Sequence, residues 1–238
     1  GNTDLKPEET RSFNLGLVFT PTRLTAISLD WYSIKLDNLV GTNNSTTIIQ
    51  ANDPNDVIRD ERGKIQALYN RYQNLTSLET SGIDVDFSHR LPTDQYGDFT
   101  FSSAYTHVLE YKRPNTVGGP IYDYAGNNRG TVLPAHKATT RVAWSRDTLS
   151  ANLTWYYTSG YDQVPEVAGQ KRVDAYNQFD AYLGLDVSEK VSIYGKIENL
   201  LDEAPPFDAT FPGIRAPYNF GQYDLRGRYF RVGFDVRF

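Results

Sequence analysis

Cysteine and methionine are both absent from this chain of 238 residues. The lack of cysteine excludes a disulfide framework and thiol chemistry. Because translation starts with methionine, we expect that Gly1 is not a translation start and that the chain is a processed product or a fragment. The first residues also lack a basic segment followed by an apolar one, so we expect any signal peptide to lie upstream.

Long hydrophobic runs are missing as well. No stretch of about eighteen apolar residues occurs, which excludes a membrane-spanning helix. Hydrophobic residues make up 39% of the chain, which is below the usual share for a packed globule and argues against a large apolar interior. The net charge of -5 argues against nucleic acid as the main partner. A chain of this kind would enter a membrane only as strands.

The last residues show what the sequence does contain. An extended strand at this end would have one apolar and one polar face, because the hydrophobic pattern has a period of two. The apolar face would meet the core of a soluble sandwich or the lipid around an outer-membrane barrel. About ten residues is also the length of a tilted strand that crosses a bilayer. The apolar positions are Phe230, Val232, Phe234, Val236 and Phe238, separated by Arg231, Gly233, Asp235 and Arg237.

Eight earlier segments alternate in a similar way, so the sequence predicts an all-β chain of about nine strands. The nine predicted strands are Arg11–Thr20, Leu24–Leu36, Gly82–Leu91, Phe99–Tyr111, Ala138–Trp144, Leu149–Tyr157, Phe179–Val187, Val191–Ile197 and Phe230–Phe238.

The lengths of the connections alternate between short and long. Short turns follow the odd-numbered strands, and long loops follow the even-numbered ones: Asp37–Ser81, Tyr111–His136, Gly160–Ala175 and Leu201–Gly227. Outer-membrane barrels place short turns in the periplasm and long loops outside, whereas a soluble meander has no reason to sort its loops. The alternation therefore predicts an antiparallel transmembrane β-barrel. Because the first and ninth strands would run in the same direction, these nine cannot close an antiparallel ring, and we expect a larger barrel.

Several short motifs resemble those of one protein family when they are taken in order along the chain. They are Asn2 to Glu8 with Phe13 to Gly16, Ser81 to Asp86, Phe179 to Leu185 with Ile197 to Asp202, and Gly227 to Phe230 leading to Phe238. In this order and spacing, the chain resembles the C-terminal part of the β-barrel of a TonB-dependent outer-membrane receptor.

The resemblance implies a fold, a function and a set of partners. Residues 1–238 would supply about nine C-terminal strands of a barrel of about 22 strands, and an N-terminal plug domain would lie upstream. The barrel would import a scarce solute, a siderophore–iron complex or another nutrient, with energy from TonB, across the outer membrane of a Gram-negative bacterium. The implied partners are outer-membrane lipid, the plug, the TonB complex reached through the N-terminal part, and a small-molecule ligand. The barrel-assembly machinery would read Phe238 as an assembly signal.

Three alternatives remain open from the residues. A passive porin would share the long loops, and a soluble β-sandwich would share the alternation. An outer-membrane enzyme needs a serine, histidine and carboxylate cluster, which we do not find, so we expect neither an enzyme nor a cofactor. His89, His107 and His136 are isolated along the sequence, so we interpret them as structural residues and predict no metal site.

Ligand binding is predicted for aromatic and cationic residues in the long loops, because such side chains can stack on a ligand and pair with its charges. This predicted ligand set is Arg113, Tyr122, Tyr124, Arg129, Tyr161, Arg215, Tyr218 and Tyr223.

Charged residues inside the strands are predicted to line the lumen, because each would cost a few kcal/mol if it faced lipid. They are Asp84, Asp86, Arg90, Glu110, Arg141, Asp180, Asp186, Glu198, Arg231 and Arg237. Aromatic residues near the strand ends are predicted to lie at the membrane interface. They are Trp31, Tyr105, Tyr111, Trp144, Trp155, Tyr156, Tyr157 and Tyr229.

Overall fold

The computed structural model describes residues 2–74, 77–211, 217–224 and 226–237. The chain forms two compact units, each assembled from separate stretches of sequence. The first unit comprises Gly1–Asn14, Tyr32–Ser81 and Leu109–Ala125, and the second comprises Leu15–Trp31, Gly82–Val108 and Gly126–Phe238.

Most elements of the described residues are strands, and there is one short helix among them. In chain order the elements are β1 (Glu9–Thr22), β2 (Thr25–Asp37), β3 (Val40–Gly41), α1 (Ser45–Ala51), β4 (Val57–Arg59), β5 (Ile65–Leu68), β6 (Gln73–Asn74), β7 (Ser77–Leu91), β8 (Asp98–Pro114), β9 (Ile121–Asp123), β10 (Asn127–Asn128), β11 (His136–Arg146), β12 (Leu149–Thr158), β13 (Tyr161–Val167), β14 (Gln170–Val173), β15 (Tyr176–Ser188), β16 (Val191–Glu198) and β17 (Tyr229–Val236).

One large sheet contains all nine strands that the sequence predicts, which confirms the all-β prediction. Its order is β1-β2-β7-β8-β11-β12-β15-β16-β17, and β9 pairs with β8 beside this path. From β8 to β17 each strand pairs antiparallel with the next. Among the described residues, β1 and β17 form the two ends of this path and are not paired with each other.

The alternation of short and long connections is also confirmed. The short turns are residues 23–24, 92–97, 147–148 and 189–190, and the long connections are residues 38–76, 115–135, 159–175 and 199–228. Because neighbouring strands run in opposite directions, every long connection leaves the same edge of the sheet, which we call the loop edge. The opposite edge carries the short turns, and we call it the turn edge.

The first long connection contains a helix that the sequence pattern did not predict. The side chain of Asn44 caps α1 by accepting a hydrogen bond from the backbone N–H of Thr47, and Asn52 ends the helix in the left-handed conformation. Ile48 is its buried residue. Two turns of helix are too short for an apolar stripe to stand out from the surrounding polar sequence.

The third long connection is a β-hairpin, although the sequence pattern of Gly160–Ala175 indicates only a loop. β13 pairs antiparallel with β14, and β10 pairs parallel with β13. The hairpin is polar along most of its length, so the hydrophobic period that marks the nine long strands is absent from it. Its formation depends on packing that the local sequence does not encode.

The strand register assigns each residue of the large sheet to one of two faces. One face, which we call the apolar face, carries large exposed side chains that stand in rows across neighbouring strands. The opposite face, which we call the polar face, carries Asp180, Asp186, Glu198, Arg141 and Arg231. The apolar rows are Phe101, Val142, Leu153, Ala181, Ile197 and Phe230, and Phe99, Trp144, Ala151, Leu183, Gly195 and Val232.

The register corrects part of the predicted aromatic set. Trp155 and Tyr157 lie on the apolar face, as an interfacial role requires. Tyr156 pairs with Thr139 and with Gln178, and Tyr229 pairs with Glu198, so both tyrosines lie on the polar face. Alternation along a single strand is ambiguous at its ends, where the apolar pattern fades.

The buried apolar side chains lie in or beside the long connections rather than along the sheet. Ile48, Val57 and Tyr124 are buried in the first unit, and Tyr161 and Tyr223 are buried in the second. The core of the described residues is therefore made by the loops. Helical membrane spans are absent from this part of the chain, where α1 is far shorter than the ~20 residues that a spanning helix needs.

Candidate ligand-binding loops

Three members of the predicted ligand set meet at the end of β8 in the first unit. Arg113 pairs with Tyr122 across β8 and β9, and its guanidinium carbon lies 5.0 Å from the centre of the Tyr124 ring. Tyr124 is fully buried, donates a hydrogen bond to the side chain of Asn115, and meets Tyr111 edge to face at 6.4 Å. The ring of Tyr124 therefore packs the base of the second long connection.

A hydrogen bond ties this connection to the preceding one within the first unit. The side-chain oxygen of Asn43 accepts a hydrogen bond from the backbone N–H of Val117 at 3.0 Å. Asn43 lies just before the cap of α1, so the short helix and its flanking residues help to position residues 115–125.

Two further members, Tyr161 and Tyr223, are buried in the second unit around the carboxylate of Asp208. Asp208 is fully buried and accepts hydrogen bonds from the Tyr161 hydroxyl at 2.5 Å and the Gln163 amide at 2.7 Å. The backbone N–H and hydroxyl of Thr210 donate to the same carboxylate at 2.9 and 2.6 Å. These contacts hold the last long connection against the β13–β14 hairpin, and we call this group the Asp208 clasp.

More hydrogen bonds extend the clasp along the hairpin. The amide of Gln170 donates to the Phe207 carbonyl at 2.8 Å, and its oxygen accepts from the backbone N–H of Ala209 at 2.8 Å. Asn128 in β10 donates to the Gln163 oxygen at 2.8 Å. Three stretches that are distant in sequence are therefore joined by buried polar groups.

The environment of the clasp fixes its protonation states. Burial alone would raise the pKa of Asp208, but hydrogen bonds from Thr210, Tyr161 and Gln163 outweigh it, so this pKa lies below its ordinary value. Burial, followed by the nearby charge of Asp208, raises the pKa of Tyr223 to about 12. Burial and the hydrogen bond to Asp208 also raise the pKa of Tyr161. At neutral pH the carboxylate is charged and both phenols keep their protons.

The rest of the predicted ligand set is less enclosed or lies outside the described residues. Arg129 and Tyr218 are half-buried, next along the chain to the buried amides of Asn128 and Asn219. Arg215 lies outside the described residues, and so does Phe238, the predicted assembly signal. Binding of a ligand by this set stays a prediction.

Exposed aromatic side chains in the long connections were not singled out from the sequence. Tyr72 is 61% exposed in the first unit, and Phe220 is 70% exposed in the second, where it meets Phe211 edge to face at 5.6 Å. Tyr69 and Phe207 are exposed as well. The sequence alone does not show which aromatic residues of the loops are exposed, because exposure depends on which side chains the folded loops bury.

A charged cluster lies on the polar face at the loop edge, and the sequence analysis identified only Glu198 and Arg231 among its members. Glu198 is paired with Lys196 at 3.0 Å and with Arg231 at 3.2 Å, and Arg226 lies 3.7 Å away. The guanidinium groups of Arg226 and Arg231 stand 5.1 and 5.4 Å from the centre of the Tyr229 ring. Lys196 and Arg226 were missed because their partners come from other strands and loops.

The three histidines were considered as possible metal ligands. Among the residues that the structure describes, no group of three or more His, Cys, Asp and Glu side chains could hold a metal ion. His107 and His136, however, are not isolated in space: they are direct partners on β8 and β11, and their ring centres lie 4.1 Å apart. Sequence spacing could not reveal a pair that depends on strand register.

Comparison with known proteins agrees with this architecture. A family model described as "TonB dependent receptor-like, beta-barrel" matches residues 1–200. Comparison with curated proteins gave no match.

Three solved structures illustrate the likeness of the fold. A mutant of the ferric enterobactin receptor of Pseudomonas aeruginosa aligns with a TM-score of 0.69 and 18% identity over 100% of this chain and 32% of its own. The siderophore receptor PirA of Acinetobacter baumannii gives 0.68 and 16%, over 100% and 33%. The FrpB iron transporter of Neisseria meningitidis gives 0.66 and 10%, over 99% and 31%. The chain spans about one third of the length of these structures.

Proposed function

The chain belongs to the family of TonB-dependent receptor-like β-barrels, and from this premise we propose that it forms part of the wall and the extracellular mouth of an outer-membrane receptor. The receptor captures a scarce solute at its loops and imports it with energy from TonB. The observation that carries the proposal is the family match over residues 1–200, which includes eight of the nine long strands of a sheet whose long connections leave one edge.

The solute that we propose is a siderophore–iron complex. Support comes from the similar solved structures, whose names describe a ferric enterobactin receptor, a siderophore receptor and an iron transporter. The loop edge of this chain is rich in aromatic and cationic side chains, which suit a large ligand with aromatic and charged groups.

We assign two roles to the loop residues. The buried rings of Tyr124, Tyr161 and Tyr223 hold the loops in shape, because their side chains are enclosed by protein. Side chains that reach solvent contact the ligand. In the first unit these side chains are Tyr69, Tyr72 and Tyr122, with Arg113 beside Tyr122. In the second unit they are Arg129, Phe207, Tyr218 and Phe220.

The proposed partners follow from the same assignment. Outer-membrane lipid covers the apolar face, and a plug domain of the same protein meets the charged polar face. The TonB complex acts through that plug, and the barrel-assembly machinery recognises the end of the barrel. The location is the outer membrane of a Gram-negative bacterium.

Uptake by the complete receptor tests the proposal. A host strain that lacks the gene would be grown under iron limitation with single ferric siderophores and complemented with the complete protein. We expect growth on at least one siderophore to return in a strain that contains TonB and not in a strain that lacks it. Uptake that persists without TonB would favour a passive porin, and growth that never depends on iron would exclude a siderophore.

Loop variants test the proposed ligand contacts. We expect Tyr72→Ala and Phe220→Ala to weaken uptake about tenfold at equal protein level, because each removes an exposed ring. Tyr96→Ala is the matched control, since Tyr96 is 68% exposed but lies in a short turn at the turn edge. Equal effects of all three substitutions would contradict the assignment.

A further inference from the structure

We propose that His107 and His136 form a two-imidazole site for a divalent transition-metal ion, such as Cu²⁺ or Zn²⁺, on the apolar face at the loop edge. The two residues are direct partners in the register of β8 and β11. Both side chains are half-buried. Each histidine is six residues from Phe101 or Val142 on its own strand, so both histidines lie on the apolar face with those two residues.

The two rings are close enough to share a metal ion after side-chain rotation. The ring centres are 4.1 Å apart, and the ring planes differ by 28°. Two metal–nitrogen bonds of ~2.0–2.1 Å that meet at a tetrahedral angle span about 3.3 Å between the nitrogens. Because metal–nitrogen bonds lie in the ring planes, the ring centres of such a complex are about 5 Å apart. The two rings must therefore leave their present stacked arrangement by side-chain rotation to share an ion.

A neighbouring phenol already orients one of the rings. The hydroxyl of Tyr105 lies 2.8 Å from Nδ1 of His136, and the two rings stack with centres 6.1 Å apart. When Nδ1–H donates to the Tyr105 oxygen, Nε2 carries the lone pair that a metal ion needs. Metal-binding histidines are usually oriented in this way by a hydrogen bond at the other ring nitrogen.

A cation fits this pair better than an anion does. An anion would require protonated imidazoles, and two positive rings at 4.1 Å would repel each other. Neutral imidazoles are good ligands for Cu²⁺ and Zn²⁺. Because the described residues offer no third His, Cys, Asp or Glu at this pair, the other coordination positions would be filled by water that reaches the site from the loop edge. We therefore expect exchangeable rather than structural binding.

Binding would act on the second long connection. His107 and His136 lie where β8 and β11 approach residues 115–135, beside a hydrogen bond of 2.8 Å from the Val108 N–H to the Ala135 carbonyl. A shared metal ion would join the two strands at that point. It would therefore fix the base of a loop that carries part of the proposed ligand contacts.

Copper binding to the complete receptor tests the proposal. The receptor would be purified in detergent without a polyhistidine tag and titrated with Cu²⁺, with electron paramagnetic resonance to count the imidazole nitrogens on each copper ion. We expect two nitrogens, and at least tenfold weaker binding for His107→Asn and for His136→Asn. His89→Asn is the matched control. His89 is also half-buried in a strand, but its ring forms a hydrogen bond with the Thr25 hydroxyl beside the turn edge.

The possible results separate clearly. One imidazole per copper in the unmodified receptor would overturn the proposal, and this count does not require any variant to fold. Unchanged affinity in His107→Asn, or an equal loss in His89→Asn, would overturn it as well. If copper binds through both imidazoles, zinc would be tested by competition, and we expect it to displace the bound copper.

Discussion

Asp208 is a fully buried carboxylate, and no ion pair joins it to a described residue. Its charge is instead distributed over four hydrogen bonds from Tyr161, Gln163 and Thr210. Hydrogen bonds to a buried charge contribute about 1.5–3 kcal/mol each, and a donor left unpaired costs a comparable amount. Asp208 therefore contributes strongly to the position of the last long connection, beside the hydrogen bonds of Gln170.

The substitution Asp208→Asn tests this contribution at the residue scale. An amide keeps the shape but turns an NH₂ group toward hydrogen-bond donors, so we expect the clasp to open more often. Hydrogen exchange of the backbone N–H of Thr210 should become at least tenfold faster, which corresponds to about 1.4 kcal/mol. Asp174→Asn is the control, because Asp174 is exposed, and exchange equal to that of this control would show that the carboxylate has no such role.

The pKa shifts predict the pH range in which the clasp stays closed. Because the pKa of Asp208 is lowered in the folded protein, its contribution is complete above the ordinary value of 3.8 and is lost as the pH falls below it. Because the pKa of Tyr223 is raised to about 12, its contribution is complete below 10.0 and is lost as the pH rises toward 12. We therefore expect opening below about pH 4 and above about pH 10.

Spin labels can measure this opening. The chain has no cysteine, so Lys171→Cys and Ala204→Cys would place one label on the hairpin and one on the last connection, both at exposed positions. The distance distribution should stay narrow between about pH 4 and pH 10 and broaden outside this range. Broadening centred near neutral pH would point to a group other than Asp208 or Tyr223.

At the scale of elements, the β13–β14 hairpin depends on a glycine at its base. A Cβ on Gly160 would lie 2.3 Å from the Val173 carbonyl oxygen and 3.1 Å from the Ala175 nitrogen. These are backbone atoms, so relief requires the hairpin itself to move. Gly195 in β16 has open space around the same position.

We therefore expect Gly160→Ala to destabilise the hairpin by about 1–3 kcal/mol, in the range found for overpacked sites. Faster hydrogen exchange should appear in β13 and β14 and leave β15 and β16 unchanged. Gly195→Ala should alter neither region. If Gly160→Ala and Gly195→Ala have the same small effect, the close approach at Gly160 does not constrain the fold.

The elements that could be predicted from sequence are those whose pattern is local. Each of the nine long strands has its own alternation, and each short turn is marked by a polar break, so both were found. α1 and the β13–β14 hairpin lack a repeated apolar period and were missed. Tyr161 was expected to face a ligand, but its burial depends on Asp208, which lies 47 positions away, and no local pattern reports such a partner.

At the scale of the whole molecule, an arginine should have different effects on stability on the two faces of the sheet. Val232 is 89% exposed in the middle of β17 on the apolar face. Ser192 in β16 lies on the polar face, pairs with Asp235 and donates a hydrogen bond of 2.6 Å to Asp186. An arginine at position 232 would face lipid in a membrane barrel, whereas an arginine at position 192 would meet two carboxylates.

We expect Val232→Arg to reduce the stability of the complete receptor in phospholipid vesicles by about 2–4 kcal/mol, the cost of an arginine at mid-depth of a bilayer. Ser192→Arg should change it by less than about 1 kcal/mol, because the new charge is paired and stays out of the lipid. Reversible unfolding by denaturant from vesicles measures both values. Because an arginine on an aqueous face costs little, equal stability of the two variants would show that water and not lipid covers the apolar face, and the membrane assignment would fail with it.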